Sequence, residues 1–142
     1  MNKQTIENFK NYFSQMDFEN DSVLGEIYAE NVVFTDPIHK IKGIDNLRHY
    51  FGKLNENLIE GSFLFTEESI IDNKAYLSWT MNLKLKRPKN HVKASGISVL
   101  TLKEGKIIEQ RDYFDAGELF YEYIPVLGSI IRFIKKKIAD DK

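Results

Sequence analysis

Leu77-Ser-Trp79-Thr-Met81-Asn-Leu83-Lys-Leu85-Lys86 is the stretch that decides the fold. Apolar and polar residues alternate throughout it. A strand here turns Leu77, Trp79, Met81, Leu83 and Leu85 to one side and Ser78, Thr80, Asn82, Lys84 and Lys86 to the other. One dry face and one wet face mark an antiparallel sheet covered on a single side. The period-2 signal continues outward in both directions. Ser62 to Ile71 reads as a preceding strand, joined through the Asp72-Asn73-Lys74 turn. After it, Arg87-Pro88-Lys89-Asn90 turns into a strand from about His91 to Leu102. Lys103-Glu104-Gly105-Lys106 then leads into a last strand, Ile107 to Asp115. Ile107, Glu109, Arg111, Tyr113 and Asp115 fall on one of its faces, and Ile108, Gln110, Asp112 and Phe114 on the other.

Upstream of the sheet the period lengthens to that of a helix. Ile6, Phe9, Phe13 and Met16 form the stripe of a first amphipathic helix, with Tyr12 leaning inward. The cluster Glu19-Asn20-Asp21-Ser22 breaks that helix and caps a second, whose apolar face is Val23, Leu24, Ile27 and Tyr28. Val32-Val-Phe-Thr-Asp36-Pro37 is an apolar strand that ends on a carboxylate and a proline. Ile38 to Lys42 is a short strand or loop before Gly43. Ile44, Leu47, Phe51, Leu54 and Leu58 then step at helical spacing, with Gly61 closing this third helix. This order predicts an α+β fold in which a curved, mainly antiparallel sheet wraps three N-terminal helices into a cone. Residues 1–118 form that domain. Residues 119–142 make a helical extension expected to pack on it, with Leu119, Phe120 and Tyr123, a break at Pro125, and Ile130, Ile131, Ile134 and Ile138 beside Arg132 and Lys135 to Lys137.

Composition narrows the function classes. A chain of 142 residues fits one domain, and 13% aromatics, with ten Phe and seven Tyr, supply material for an apolar pocket. The 20 basic and 21 acidic residues leave a net charge of −1, which argues against nucleic acid as a partner. The absence of cysteine removes disulfides, thiolate metal sites and a cysteine nucleophile. His39, His49 and His91 are scattered without metal-ligand spacing, so neither a metal nor another cofactor is expected. No apolar run follows the first charges and none is long enough to span a bilayer, so a cytoplasmic protein is expected.

Asp36 is the residue with two readings. An acid at the inner end of an apolar strand either caps an Asp-Pro turn or serves as a base whose pKa its surroundings raise. Tyr12 reads as a hydrogen-bond donor or as a core ring. Asp112 reads as a pocket acid or, if the strand's face slips by one, as a surface partner of Arg111 or Lys106. The basic tail fits an acidic membrane surface, or a helix docked by its isoleucines across the cone's mouth or on a partner subunit, and docking is the expectation.

The element order, together with Tyr28-Ala-Glu-Asn-Val-Val-Phe-Thr-Asp-Pro, Gly43-Ile-Asp-Asn-Leu and Gly105-Lys-Ile-Ile-Glu-Gln-Arg-Asp-Tyr-Phe-Asp115, resembles the NTF2-like superfamily. Within it, the chain is similar to SnoaL-like and ketosteroid-isomerase-like proteins over about residues 5–118. The resemblance implies a cone with one open mouth. It places Tyr12 where ketosteroid isomerase has its oxyanion-hole tyrosine and Asp36 where it has its general base. Ser98 stands where that enzyme has a protonated acid. A hydroxyl is the weaker donor, and loss of one oxyanion donor costs about 10²-fold or more, which argues against a faithful steroid isomerase. Asp112 falls on the pocket face, near where SnoaL-like enzymes often place an acid. Trp79, Met81, Leu83, Ser98 and Phe114 match lining positions. The implied function is proton transfer on a small hydrophobic substrate, of isomerase or hydrolase type, by Asp36, Tyr12 and Asp112. The alternatives are a binding module for a hydrophobic ligand and an interaction domain that forms a homodimer through its sheet.

Overall fold

The structure, a computed structural model, describes residues 1–15, 21–87, 89–115 and 125–140. Met16, Glu19, Asn20, Pro88, Leu119, Phe120 and Tyr123, all used in the sequence reading, lie outside the described residues. Helices α1 (Asn2–Gln15) and α2 (Asp21–Ile27) precede strands β1 (Tyr28–Thr35) and β2 (Lys40–Lys42). Helix α3 (Ile44–Glu56) leads into β3 (Leu58–Ile71), β4 (Lys74–Lys86), β5 (Lys89–Lys103) and β6 (Lys106–Phe114), and α4 (Pro125–Asp140) follows. The strands form one curved six-stranded sheet in the order β2-β1-β6-β5-β4-β3. All neighbours are antiparallel except β1 and β6, which run parallel. The α+β architecture with a mixed sheet is as predicted.

Alternation along β4 does what its sequence requires. Leu77, Trp79, Met81 and Leu83 are buried on the helix side of the sheet. Their partners on β5, Ala94 and Ser98 among them, are buried on the same face. Helix α1 covers that face. Phe13 meets Phe63 of β3 at 5.6 Å between ring centroids, and Phe63 meets Trp79 at 5.1 Å. Phe51 of α3 closes on Phe13 at 5.5 Å, edge to face, so α1, α3 and the sheet share one aromatic core. Turn chemistry holds the strands in register. Glu104 and Gly105 both take positive φ, 52° and 76°, the backbone of a tight hairpin whose twist matches its strands.

Three boundaries differ from the sequence reading. Leu58 begins β3 instead of ending α3. Asn57 stops the helix with its backbone at φ −93°, ψ 0°. Its side chain then accepts from Arg87 N and donates to Arg87 O, each at 3.0 Å, which starts the pairing of β3 with β4. Gly61 therefore sits inside a strand, opposite Leu83. Tyr28, expected on the second helix, opens β1. On β6 the register shifts where Thr101 and Leu102 of β5 pair with Glu109 and Ile107, leaving Ile108 as the extra residue. That bulge turns Ile107 inward with Gln110, against the strict alternation expected for it.

Candidate functional site

A buried polar chain runs across β4, β5, β6 and β1. The indole N–H of Trp79 donates to Ser98 Oγ at 3.0 Å, and the Ser98 hydroxyl donates to Asp112 Oδ1 at 2.7 Å. Gln110 Nε2 donates to both oxygens of Asp112, at 3.1 and 3.3 Å. Tyr28 in turn donates to Gln110 Oε1 at 2.5 Å. The register explains the cluster, because Ser98 pairs directly with Asp112 and Gln110 is the next inward residue along β6. Gly96 makes room for it. A Cβ there would lie 2.5 Å from the Tyr113 carbonyl oxygen and 2.6 Å from Trp79 Cη2.

Burial dominates the electrostatics of this cluster. It pushes the Asp112 carboxyl up to about 6, with the charge of Asp36 adding to the rise and the bonds from Ser98 and Gln110 opposing it. Asp112 keeps some accessible surface, so it is a partly enclosed carboxylate and not one sealed in the core. Tyr50 of α3 stands in the field of both acids. Burial raises its hydroxyl far above the ordinary range, with Asp36 and then Asp112 adding to the shift. Burial likewise raises the Tyr28 hydroxyl, followed by Asp112 and Tyr12. Both tyrosines are therefore held protonated, as donors. Among the described residues, the Tyr50 hydroxyl has no hydrogen-bond partner.

Asp36 is tied into its turn. Its Oδ1 accepts the backbone N–H groups of Ile38 at 2.8 Å and His39 at 2.6 Å, and its own N–H donates to the His39 carbonyl at 3.0 Å. Its side chain is only 5% exposed, and His39 Nδ1 lies 3.3 and 3.4 Å from the two carboxylate oxygens. The turn-capping geometry weighed for Asp36 is thus present, beside an imidazole. The His39 ring packs on Tyr50 at 4.9 Å. Through Tyr50 the structure brings Asp36 and Asp112 into one electrostatic neighbourhood. Tyr12 is 7% exposed, stacked on Phe13 at 5.2 Å, and adds to the rise of the Tyr28 hydroxyl.

The expected lining residues separate by role. Trp79, Met81 and Leu83 are buried on the inner face, and Phe114 is partly buried with its ring 6.3 Å from Trp79. Ser98, expected as a ligand contact, gives its one hydroxyl hydrogen to Asp112 and accepts from Trp79, so its bonding is internal. An open groove of about 260 Å³ lies elsewhere, where Leu83 is joined by Glu60, Asn82, Lys84 and His91. Glu60, Lys84 and His91 face water there. The groove does not include the enclosed acids and tyrosines, which lie apart from it around Asp112. No group of acids and histidines among the described residues is arranged to hold a metal ion.

Sequence reasoning missed Tyr50, His39, Tyr28 and Gln110. A signal for Tyr50 existed, since it lies three residues after Leu47 and four before Leu54, on the margin of the α3 stripe. Gln110 shares the inward alternation of Asp112, which was read only for its acid. His39 had no local signal, because its place depends on the turn at Asp36.

The fold has many solved relatives. An epoxide hydrolase of LEH-like type from M. tuberculosis superposes with a TM-score of 0.69 at 17% identity, covering 82% of this chain and 84% of that one. An NTF2-like protein from Burkholderia pseudomallei gives 0.71 at 18% identity, covering 82% and 92%. A protein of ketosteroid-isomerase-like fold from Catenulispora acidiphila, solved with trimethylamine, gives 0.71 at 10% identity, covering 84% and 91%. At these identities the likeness is one of fold. No curated protein matches the chain. The model of the SnoaL-like domain family matches residues 6–110, a span that takes in most of α1, the Asp36 turn, Tyr50, Trp79, Ser98 and Gln110. The chain belongs to the SnoaL-like domain family, within the NTF2-like fold.

Proposed function

We propose that the chain binds a small, mostly apolar carbonyl compound and moves a proton on it, with Asp112 as base and Tyr50 as hydrogen-bond donor. The observation that carries this reading is a partly enclosed carboxylate raised to about 6 in the same field as a tyrosine hydroxyl that has no partner among the described residues. A base with that pKa is largely ionised at neutral pH yet basic enough to take a proton in the transition state. Asp112 removes the proton from the carbon next to the carbonyl, the electron pair moves to the carbonyl oxygen, and Tyr50 hydrogen-bonds to that oxyanion. Return of the proton to the same or the conjugated carbon completes exchange or isomerisation. Trp79 and Phe114 supply apolar wall. Asp36 and Tyr12, base and donor by resemblance to ketosteroid isomerase, support this pair. Asp36 loads the field on Asp112 and Tyr50, and Tyr12 acts through Tyr28.

The test is deuterium incorporation into apolar cyclic ketones in D₂O, followed by NMR. The wild-type chain accelerates exchange, Asp112→Asn lowers it by about 10²-fold or more, and Tyr50→Phe lowers it by about 10-fold or more. Opening of an alkyl epoxide without ketone exchange would move the same residues to water activation. Ligand-induced stabilisation without turnover of either compound would reduce the site to a binding module. A second reading concerns assembly: Leu64, Tyr76, Ile97 and Tyr113 stand 40–64% exposed on the outer face of the sheet, which supports a homodimer through that face. Light scattering of wild type against Ile97→Asp checks it.

A further inference from the structure

We propose that α4 is a membrane-docking element that lays the chain on an anionic lipid surface. Its 16 residues carry Ile130, Phe133, Ile134 and Ile138 at helical spacing, and these four stand 50%, 68%, 50% and 58% exposed. The stripe expected to bury itself on the body is uncovered in the single chain. A helix that faces only water gains nothing from such a stripe, so it predicts an apolar counterpart.

Charge selects which counterpart. Residues 125–140 contain Arg132, Lys135, Lys136 and Lys137 against Asp140, a net of +3 on a chain whose total is −1. At 100° per residue, Lys136 falls on one margin of the stripe and Lys137 within it, one residue before Ile138, whereas Lys135, on the other margin, is engaged by Asp115. Lysine stems at such positions run along apolar surface and carry the ammonium groups to the phosphate level. Two copies of α4 packed stripe to stripe would instead bring +3 against +3. The helix rises about 24 Å and is interrupted by charge, and among the described residues no helix is long and apolar enough to cross a membrane, so α4 lies on the surface. Lys135 is held to Asp115 at 2.7 Å, which sets α4 beside the end of β6, three residues beyond Asp112. The lipid surface is thereby brought near the strand that carries the acid, although the docking stands without any claim about turnover.

Vesicle flotation of the full chain tests this with two liposome compositions, pure phosphatidylcholine and phosphatidylcholine with 30% phosphatidylglycerol. The expected result is binding to the anionic vesicles, weakened on passing from about 0.1 M to 1 M salt as the screening length contracts. Each basic residue at the surface is worth about fivefold, so Lys136→Gln with Lys137→Gln lowers the anionic partition by about 25-fold. Phe133→Asp lowers it by about 10-fold or more. Both changes lie on exposed positions, and unchanged Trp79 fluorescence confirms that the body is intact. Equal binding to neutral and anionic vesicles would overturn the charge argument. No vesicle binding, or a self-association that Phe133→Asp abolishes in its place, would overturn the proposal and give the stripe to a second copy.

Discussion

Replacing Asp112 by asparagine is expected to stabilise the protein while removing its proposed chemistry. Burial lifts the folded-state carboxyl to about 6 from an ordinary value of 3.8. Between those pH values the native state holds a proton that the unfolded chain has released, so stability falls as pH rises through this window. At about 1.4 kcal/mol per pH unit the cost reaches about 3 kcal/mol above pH 7, an upper bound because Asp112 is not fully enclosed. Asparagine carries no charge and still accepts from Ser98. Its amide N–H can donate to Gln110 if the Gln110 amide reverses and then donates to Tyr28, which keeps the chain connected but turns the Tyr28 hydroxyl from donor to acceptor. The expected gain is about 1–3 kcal/mol at pH 8, shrinking towards zero near pH 4 where the wild-type group is neutral. Guanidinium unfolding at several pH values reads it, with Trp79, the sole tryptophan, as reporter. A variant less stable than wild type at pH 8, or a difference that does not change with pH, would refute the reasoning and make the ionised Asp112 a net stabilising element.

Two further substitutions test the turn and the close packing around the site. Asp36→Asn keeps the oxygen that caps Ile38 and His39, so its stability stays within about 0.5 kcal/mol of wild type, whereas Asp36→Ala loses both bonds and about 1–2 kcal/mol; equal losses in the two variants would assign the role to charge beside His39. Gly96→Ala forces a methyl group against the Tyr113 carbonyl and the Trp79 ring, and chemical unfolding is expected to show a loss of about 1–3 kcal/mol with a shifted Trp79 emission.

Periodicity in the sequence was sufficient for the architecture. The alternation of β4 and the 3.6-residue stripes that run through α1 and α3 are local consequences of which side chains avoid water, and within those elements they persist in the fold. Boundaries were less legible where a long-range bond decided them. Asn57 ends α3 only because Arg87, thirty positions on, offers its backbone. Ile107 turns inward only because β5 and β6 slip by one residue.

The candidate site divides along the same line. Asp36, Asp112 and Trp79 could be singled out by residue type and by face, because a carboxylate or a lone indole beside apolar neighbours stands out in any window of sequence. What those groups are doing was decided by tertiary structure alone. Whether Asp36 caps its turn depends on the backbone conformation of the next three residues, and whether Ser98 spends its hydrogen on Asp112 and Tyr50 stands in the field of both acids depends on elements far apart in the chain meeting in space. The pKa of Asp112 has the same origin. Desolvation is a property of what surrounds a group in space, and no local pattern encodes it.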